Sequence, residues 1–148
     1  MEKMTLIIRE PTLNDEQTLE LIFLITRRKT FTSQPPESFQ LSDYAESVAG
    51  EEMWVAEKNG VVVGFVSMWI KDDFIHNLFV HPDWHGLGIG SALLKKAESR
   101  LKYPMELKVK LENLIACKFY QKHGWIEVDV SHNPKEPFFS YRKDAPSS

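Results

Sequence analysis

Cysteine is almost missing from this chain: one thiol, Cys117, in 148 residues. That excludes an intramolecular disulfide, leaves stability to the core, and points to a reducing compartment. No apolar run approaches the ~20 residues that a membrane-spanning helix needs. Residues 1–12 lack the long apolar centre of a secretory signal. The expected location is therefore the cytoplasm, with no membrane partner. A basic excess is missing too: 18 Lys and Arg stand against 21 Asp and Glu, a net charge of -3. Nothing is left over to neutralise a nucleic-acid backbone, so nucleic acid is not expected as the partner. Repeats, low-complexity tracts and linkers are absent, so residues 1–148 are expected to form one domain, with 144–148 as a frayed tail. A hydrophobic content of 43% is sufficient for a real core at this length.

What is present is a well-punctuated series of elements. Residues 5–10 alternate as a strand that Pro11 stops. Asn14 or Asp15 can cap a following helix, because a short side-chain oxygen accepts from the free N–H groups of the first turn. Leu19, Ile22, Phe23 and Thr26 give that helix one apolar face, and Arg27-Arg28-Lys29 suits the negative end of its dipole. A second helix is predicted over residues 37–48. Asn59-Gly60 lies between two β-rich runs, 53–57 and 61–70, and predicts a hairpin with a primed turn. A polar turn at 71–73 leads to a further strand at 74–80, which makes three antiparallel strands. A helix over 91–101 follows, with Leu93, Leu94, Ala97 and Leu101 as its buried stripe. A short strand at 105–109 precedes an Asn113-capped helix over 114–122, which His123-Gly124 terminates. Strands at 125–130 and 138–142 close the chain.

Between strand 74–80 and the next helix stands His85-Gly86-Leu87-Gly88-Ile89-Gly90-Ser91. A glycine-rich turn into a helix leaves backbone N–H groups unused and lets a ligand approach without Cβ atoms in the way, so an anion such as phosphate is the expected ligand. A P-loop is excluded because no lysine precedes Ser91. A dinucleotide fingerprint fails because Ser91 occupies its sixth position and no alternating strand-helix units follow. His76, His81 and His85 match no HExxH or Cys/His ligand spacing, so no metal is expected.

The glycine segment resembles the acyl-CoA pyrophosphate loop of the GNAT superfamily of N-acyltransferases, Gln/Arg-x-x-Gly-x-Gly/Ala, with His85 at the position usually held by Gln or Arg. A second segment, Asn113-x-x-Ala116-x-x-Phe119-Tyr120-x-x-x-Gly124-Trp125, is similar to that family's Asn-x-x-Ala-x-x-Phe-Tyr-x-x-x-Gly-Phe. The resemblance covers nearly the whole chain. It implies an α/β (α+β) fold: a mixed, mostly antiparallel sheet of about seven strands with one splayed parallel pair, flanked by about four helices. It also implies acetyl-CoA as co-substrate, with Leu78, Phe79 and Val80 along the pantetheine arm. The pyrophosphate would then lie on His85, Gly86, Leu87, Gly88, Ile89, Gly90 and Ser91, and Asn113 serves as helix cap, as ligand contact, or as both.

By the same resemblance Tyr120 is the acid that protonates the leaving thiolate. With a phenol near ~10 and a thiol near ~8.5, that transfer is uphill unless the site assists. His76 matches the position of a histidine linked to proton removal in arylalkylamine acetyltransferases, and its ordinary pKa near ~6.5 suits a base. Alternation places it with Phe74, Leu78 and Val80, leaving Ile75, Asn77 and Phe79 on the opposite face. Asp72 and Asp73 are the runners-up. Phe31, Phe39 and Tyr44 are candidate acceptor contacts, with core packing as the alternative. Cys117 has no evident His partner and is expected to pack. The expected activity is acetyl transfer to a primary amine of a small molecule or protein. A non-catalytic acyl-CoA-binding module is the rival, and monomer and homodimer stay open.

Overall fold

The computed structural model describes residues 5–135 and 137–147; the expectations about residues 1–4 and Ser148 lie outside them. The described chain runs β1 (Leu6–Arg9), α1 (Glu16–Thr30), α2 (Asp43–Val48), β2 (Glu52–Lys58), β3 (Val61–Trp69), β4 (Phe74–Val80), α3 (Ile89–Arg100), β5 (Met105–Lys110), α4 (Leu114–Lys122), β6 (Ile126–Ser131) and β7 (Phe138–Lys143). One seven-stranded sheet has the order β1-β2-β3-β4-β5-β7-β6. Every neighbouring pair is antiparallel except β4 and β5, so this is the mixed sheet with one parallel pair that was expected. β1 joins the antiparallel run as a fourth strand on β2. No described helix is long and apolar enough to cross a membrane.

Local chemistry accounts for the main junctions. Asn59 and Gly60 both take positive φ, 51° and 83°, as a two-residue primed turn demands. Arg9 donates to Asp15 at 2.8 Å and to Glu57 at 3.1 Å, tying β1 to the start of α1 and to β2. The sheet is covered on both faces. Leu93, Leu94 and Ala97 of α3 pack with Tyr120 of α4 and with Leu107, Trp125 and Tyr141 on one face. Leu19, Ile22 and Phe23 of α1 pack with Tyr44 of α2 and Phe65 on the other. Each fully buried side chain of this size contributes roughly 1.5–3 kcal/mol before ordering costs.

Two departures from the sequence reading bear on the site. The second helix starts at Asp43 rather than at residue 37, with only a single helical turn at Pro36–Ser38 before it. Phe39 is extended and buries its ring beside Leu24 and Phe31. Asp43 accepts the Gln40 N–H at 2.9 Å and pairs with Arg27 at 3.1 Å, so it acts as the local stop. Burial of one aromatic ring outweighs the modest propensity of the intervening residues.

The second departure is in β4. Ser67 faces Asn77 and Met68 faces Ile75, so His76 is an extra residue, a bulge. The bulge reverses the alternation. Ile75 joins Leu78 and Val80 against the α3/α4 core, while Phe79 packs with Phe23 and Phe65 on the α1/α2 side. The expected grouping of His76 with Leu78 and Val80 is therefore wrong.

β4 and β5 pair only at Phe74–Glu106 and Ile75–Leu107. Beyond that point the two parallel strands separate, and their open ends border the cavities described next.

Candidate functional site

The first cavity, about 480 Å³, is bounded by Leu78, Phe79 and Val80 of β4, by the glycine turn, and by α4. Gly86 and Gly88 have φ of 79° and 77°, a region costly for any residue with a Cβ, so glycine there is a backbone requirement. Along Gly86 to Ser91 no backbone N–H donates to a protein acceptor among the described residues. These amides lie at the positive end of α3, and all of their residues except Leu87 border the cavity. His85 donates from Nε2 to the Val80 carbonyl at 2.6 Å and so fastens the turn to the end of β4. Ser91 is within 3.0 Å of His123 Nε2 through its hydroxyl. Leu87 turns a half-exposed side chain to solvent.

Asn113 caps α4 by accepting the Ala116 N–H at 3.2 Å, and it also borders the cavity. Tyr120 lies two turns further along, buried against Phe119, Trp125 and Tyr141. Its hydroxyl has no hydrogen-bond partner among the described residues, yet the residue lines the cavity. Burial pushes the phenol well above its ordinary value, so it is a donor at neutral pH. Thr26 of α1 also borders this cavity, and its Oγ1 is buried without a partner. Sequence reasoning placed Thr26 on the apolar face of α1; a hydroxyl within an apolar stripe was the available signal.

The second cavity, about 680 Å³, takes Phe74 and His76 from β4, Lys108 and Lys110 from β5, and Ser33 from the segment after α1. His76 and Tyr120 are thus not in one cavity: β4 sends its first half to this one and its last residues to the other. His76 Nδ1 is 2.7 Å from Glu51 Oε2. The Glu51 side chain is 1% exposed against 40% for His76, and its other oxygen has no partner. The hydrogen bond and charge of Glu51 raise the His76 pKa above its ordinary value, against the opposing effect of burial. Glu51 escaped the sequence reading because it follows α2 in a loop, and no periodicity connects it to a strand residue far along the chain.

The proposed acceptor contacts are elsewhere. Phe31, Phe39 and Tyr44 are buried and line neither cavity. Phe31 and Phe39 pack on each other and on Leu24, and Tyr44 packs on Phe23 and Phe65. Apolar rings gain more from closing the seam between α1, α2 and the sheet than from a wet cleft. Asp72 and Asp73 also lie outside both cavities, and Asp73 accepts the Lys102 N–H at 2.9 Å. Cys117 is buried.

Comparison with known proteins bears on this geometry. The family model described as Acetyltransferase (GNAT) family matches residues 18–125. Peptidyl-lysine N-acetyltransferase YiaC of Escherichia coli (strain K12) is 37% identical over 84 residues, covering 57% of this chain and 56% of that protein. L-amino acid N-acyltransferase MnaT of the same organism is 31% identical over 93 residues, covering 55% and 54%. The chain spans about half the length of the curated relatives it matches. The crystal structure of PaiA N-acetyltransferase from Thermoplasma acidophilum, in complex with coenzyme A, superposes with a TM-score of 0.82 at 21% identity, over 96% of this chain and all of that one.

Proposed function

The chain belongs to the acetyltransferase (GNAT) family, and from that membership and the two cavities we propose that it transfers an acetyl group from acetyl-CoA directly to a primary amine. One observation carries the reading. Gly86, Gly88, Ile89, Gly90 and Ser91, whose backbone N–H groups are free, line the same cavity as Tyr120, whose hydroxyl has no partner among the described residues. The residues fit the co-substrate: a phosphate-sized anion finds donors at the glycine turn, and a thiol-end group finds a buried proton donor at Tyr120. Between them, Leu78 to Val80 at the splayed end of β4 border the same cavity, and an extended pantetheine arm would run alongside this open strand edge.

Acetyl-CoA supplies an activated acyl carbon and a leaving thiolate. The amine nitrogen bonds to that carbon, the carbon–sulfur bond breaks, and no covalent enzyme intermediate is needed. His76, which borders the second cavity and is oriented and made more basic by Glu51, takes the proton of the ammonium as it enters from that side of the β4–β5 gap. Tyr120 donates a hydrogen bond or proton to the departing sulfur, and the proton that the nitrogen loses as the amide forms restores the tyrosine, so the products are the amide and the free thiol. Its raised pKa does not disqualify it, because a buried site penalises the thiolate anion as it penalises the phenolate.

The test is thiol release from acetyl-CoA across a panel of amines, with acetyl-CoA affinity read separately by calorimetry. Tyr120→Phe should lower kcat by about 10²-fold or more while leaving affinity within a factor of about two. Undiminished kcat in that variant would remove Tyr120 from the chemistry. Tight binding with no thiol release for any amine would make the protein a CoA-binding module.

A further inference from the structure

The cavity on the His76 side has a charge pattern that the proposed transfer does not require. Lys108 and Lys110 alternate with the buried Leu107 and Val109, so both project from the same face of β5. Neither has a carboxylate partner among the described residues, and nor does Lys135, which borders the same cavity. Instead, the Lys108 ammonium sits 4.4 Å over the Phe138 ring and that of Lys110 sits 4.3 Å over Phe31. Aromatic faces position a cation while leaving its N–H donors free. The one described acidic residue on the wall, Glu112, already accepts the Ser33 hydroxyl at 2.7 Å. Among the described residues neither ammonium is therefore ion-paired, and each is held in place by an aromatic face, with Glu112 the acidic group on the wall whose charge acts on Lys110.

We infer that this cavity is an acceptor subsite for a small amine that also carries a carboxylate, an α-amino acid or close analogue, with Lys108 and Lys110 holding the carboxylate while His76 faces the amine. The inference rests on the acetyl-transfer reading for its chemistry but not for its binding. A cation pair has two consequences there. It attracts an anion at short range in a partly desolvated space, and it repels polyamines and other multiply cationic acceptors. It also favours the neutral form of the bound amine, which is the form that attacks. Desolvation draws the Lys110 pKa below its ordinary value, a penalty that a bound carboxylate would relieve.

The experiment has a turnover arm and a binding arm. Thiol release from acetyl-CoA is measured with glycine, L-methionine, L-phenylalanine and L-glutamate, with the α-carboxamide of each, with spermidine, and with an uncharged peptide holding one lysine. Binding of N-acetyl-L-methionine and its carboxamide to the CoA-saturated protein is measured by calorimetry. Carboxylates should exceed their carboxamides by about 10- to 100-fold in kcat/KM and in affinity, the range of a charge-assisted hydrogen bond. Lys108→Gln with Lys110→Gln should erase that ratio while leaving acetyl-CoA affinity unchanged, since neither side chain borders the first cavity. Lys110→Gln alone should reduce it. If carboxamides, spermidine or the lysine peptide rank first, or if the double variant keeps the carboxylate preference, the subsite is overturned. If no amine supports thiol release but the carboxylate still binds in a lysine-dependent way, the subsite stands and the transfer reading falls. If neither N-acetyl probe binds and carboxylates show no advantage in turnover, the subsite falls alone.

Discussion

Replacing Gly64 by alanine would place a methyl group where β3 and β4 already touch. A Cβ built at Gly64 lies 2.8 Å from the Phe79 carbonyl oxygen, 3.3 Å from the Val80 Cα and 3.3 Å from Leu93. The first two neighbours are backbone and cannot rotate away. Reaching ordinary contact at 3.4 Å requires the strands to part by about 0.6 Å at the Gly64–Val80 pair. Overpacking of this kind costs about 1–3 kcal/mol, which at this chain length lowers Tm by roughly 2–10 °C. The displaced backbone is the part of β4 that the pantetheine arm would pair with. Weakening two such hydrogen bonds costs about 1–2 kcal/mol, or roughly 5- to 30-fold in the Kd for CoA. Denaturant unfolding and calorimetry with CoA read the two effects separately. Gly60→Ala is the control: its φ of 83° makes alanine strained, but nothing lies within 4 Å of the added Cβ. It should cost about 1 kcal/mol of stability and leave CoA affinity alone. A destabilised Gly64→Ala protein that binds CoA like the parent would refute the pairing of β4 with the ligand, as would an equal loss of affinity in the control.

Two further outcomes are expected. Because Glu51 raises the His76 pKa, a base at His76 must lose its proton above the ordinary histidine range, so kcat/KM should fall as pH drops through that raised value. Glu51→Gln should move this acid limb to lower pH, and His76→Gln should abolish it; a limb that survives His76→Gln assigns the base elsewhere. Arg9 holds the Asp15 carboxyl down at about 2 from an ordinary 3.8, with backbone and hydroxyl help from Thr12. A depressed carboxyl contributes stability above its unfolded pKa and loses it as pH falls toward 2, so the contribution at neutral pH is about 2 kcal/mol. Asp15→Asn should therefore destabilise by that order in urea at pH 7, with the gap to the parent closing as pH approaches 2; a pH-independent gap would mean packing rather than charge.

The local grammar of the chain was legible in its sequence. Asn59-Gly60 specifies its turn because only a left-handed pair joins two strands in two residues, and Gly86 and Gly88 specify theirs for the same steric reason. Asn113 and Gly124 bound α4 through a cap and a left-handed stop. The element order followed from periodicity and punctuation, and the splayed parallel pair and a site running from the glycine turn to Tyr120 followed from the resemblance that two motifs carry. What sequence could not supply was any relation that depends on residues distant in the chain. Pattern alone cannot register an inserted residue, so the bulge at His76 reversed a face assignment. Phe31, Phe39 and Tyr44 suited a ligand wall as well as a core until α1, α2 and the sheet closed over them. Glu51 reaches His76 because β3 holds β2 and β4 in register, and Lys108 and Lys110 come to face the same space as His76 because β4 and β5 lie side by side. Short-range sterics and capping are written into adjacent residues, whereas burial, charge pairing and the shape of a cavity are properties of the assembled sheet.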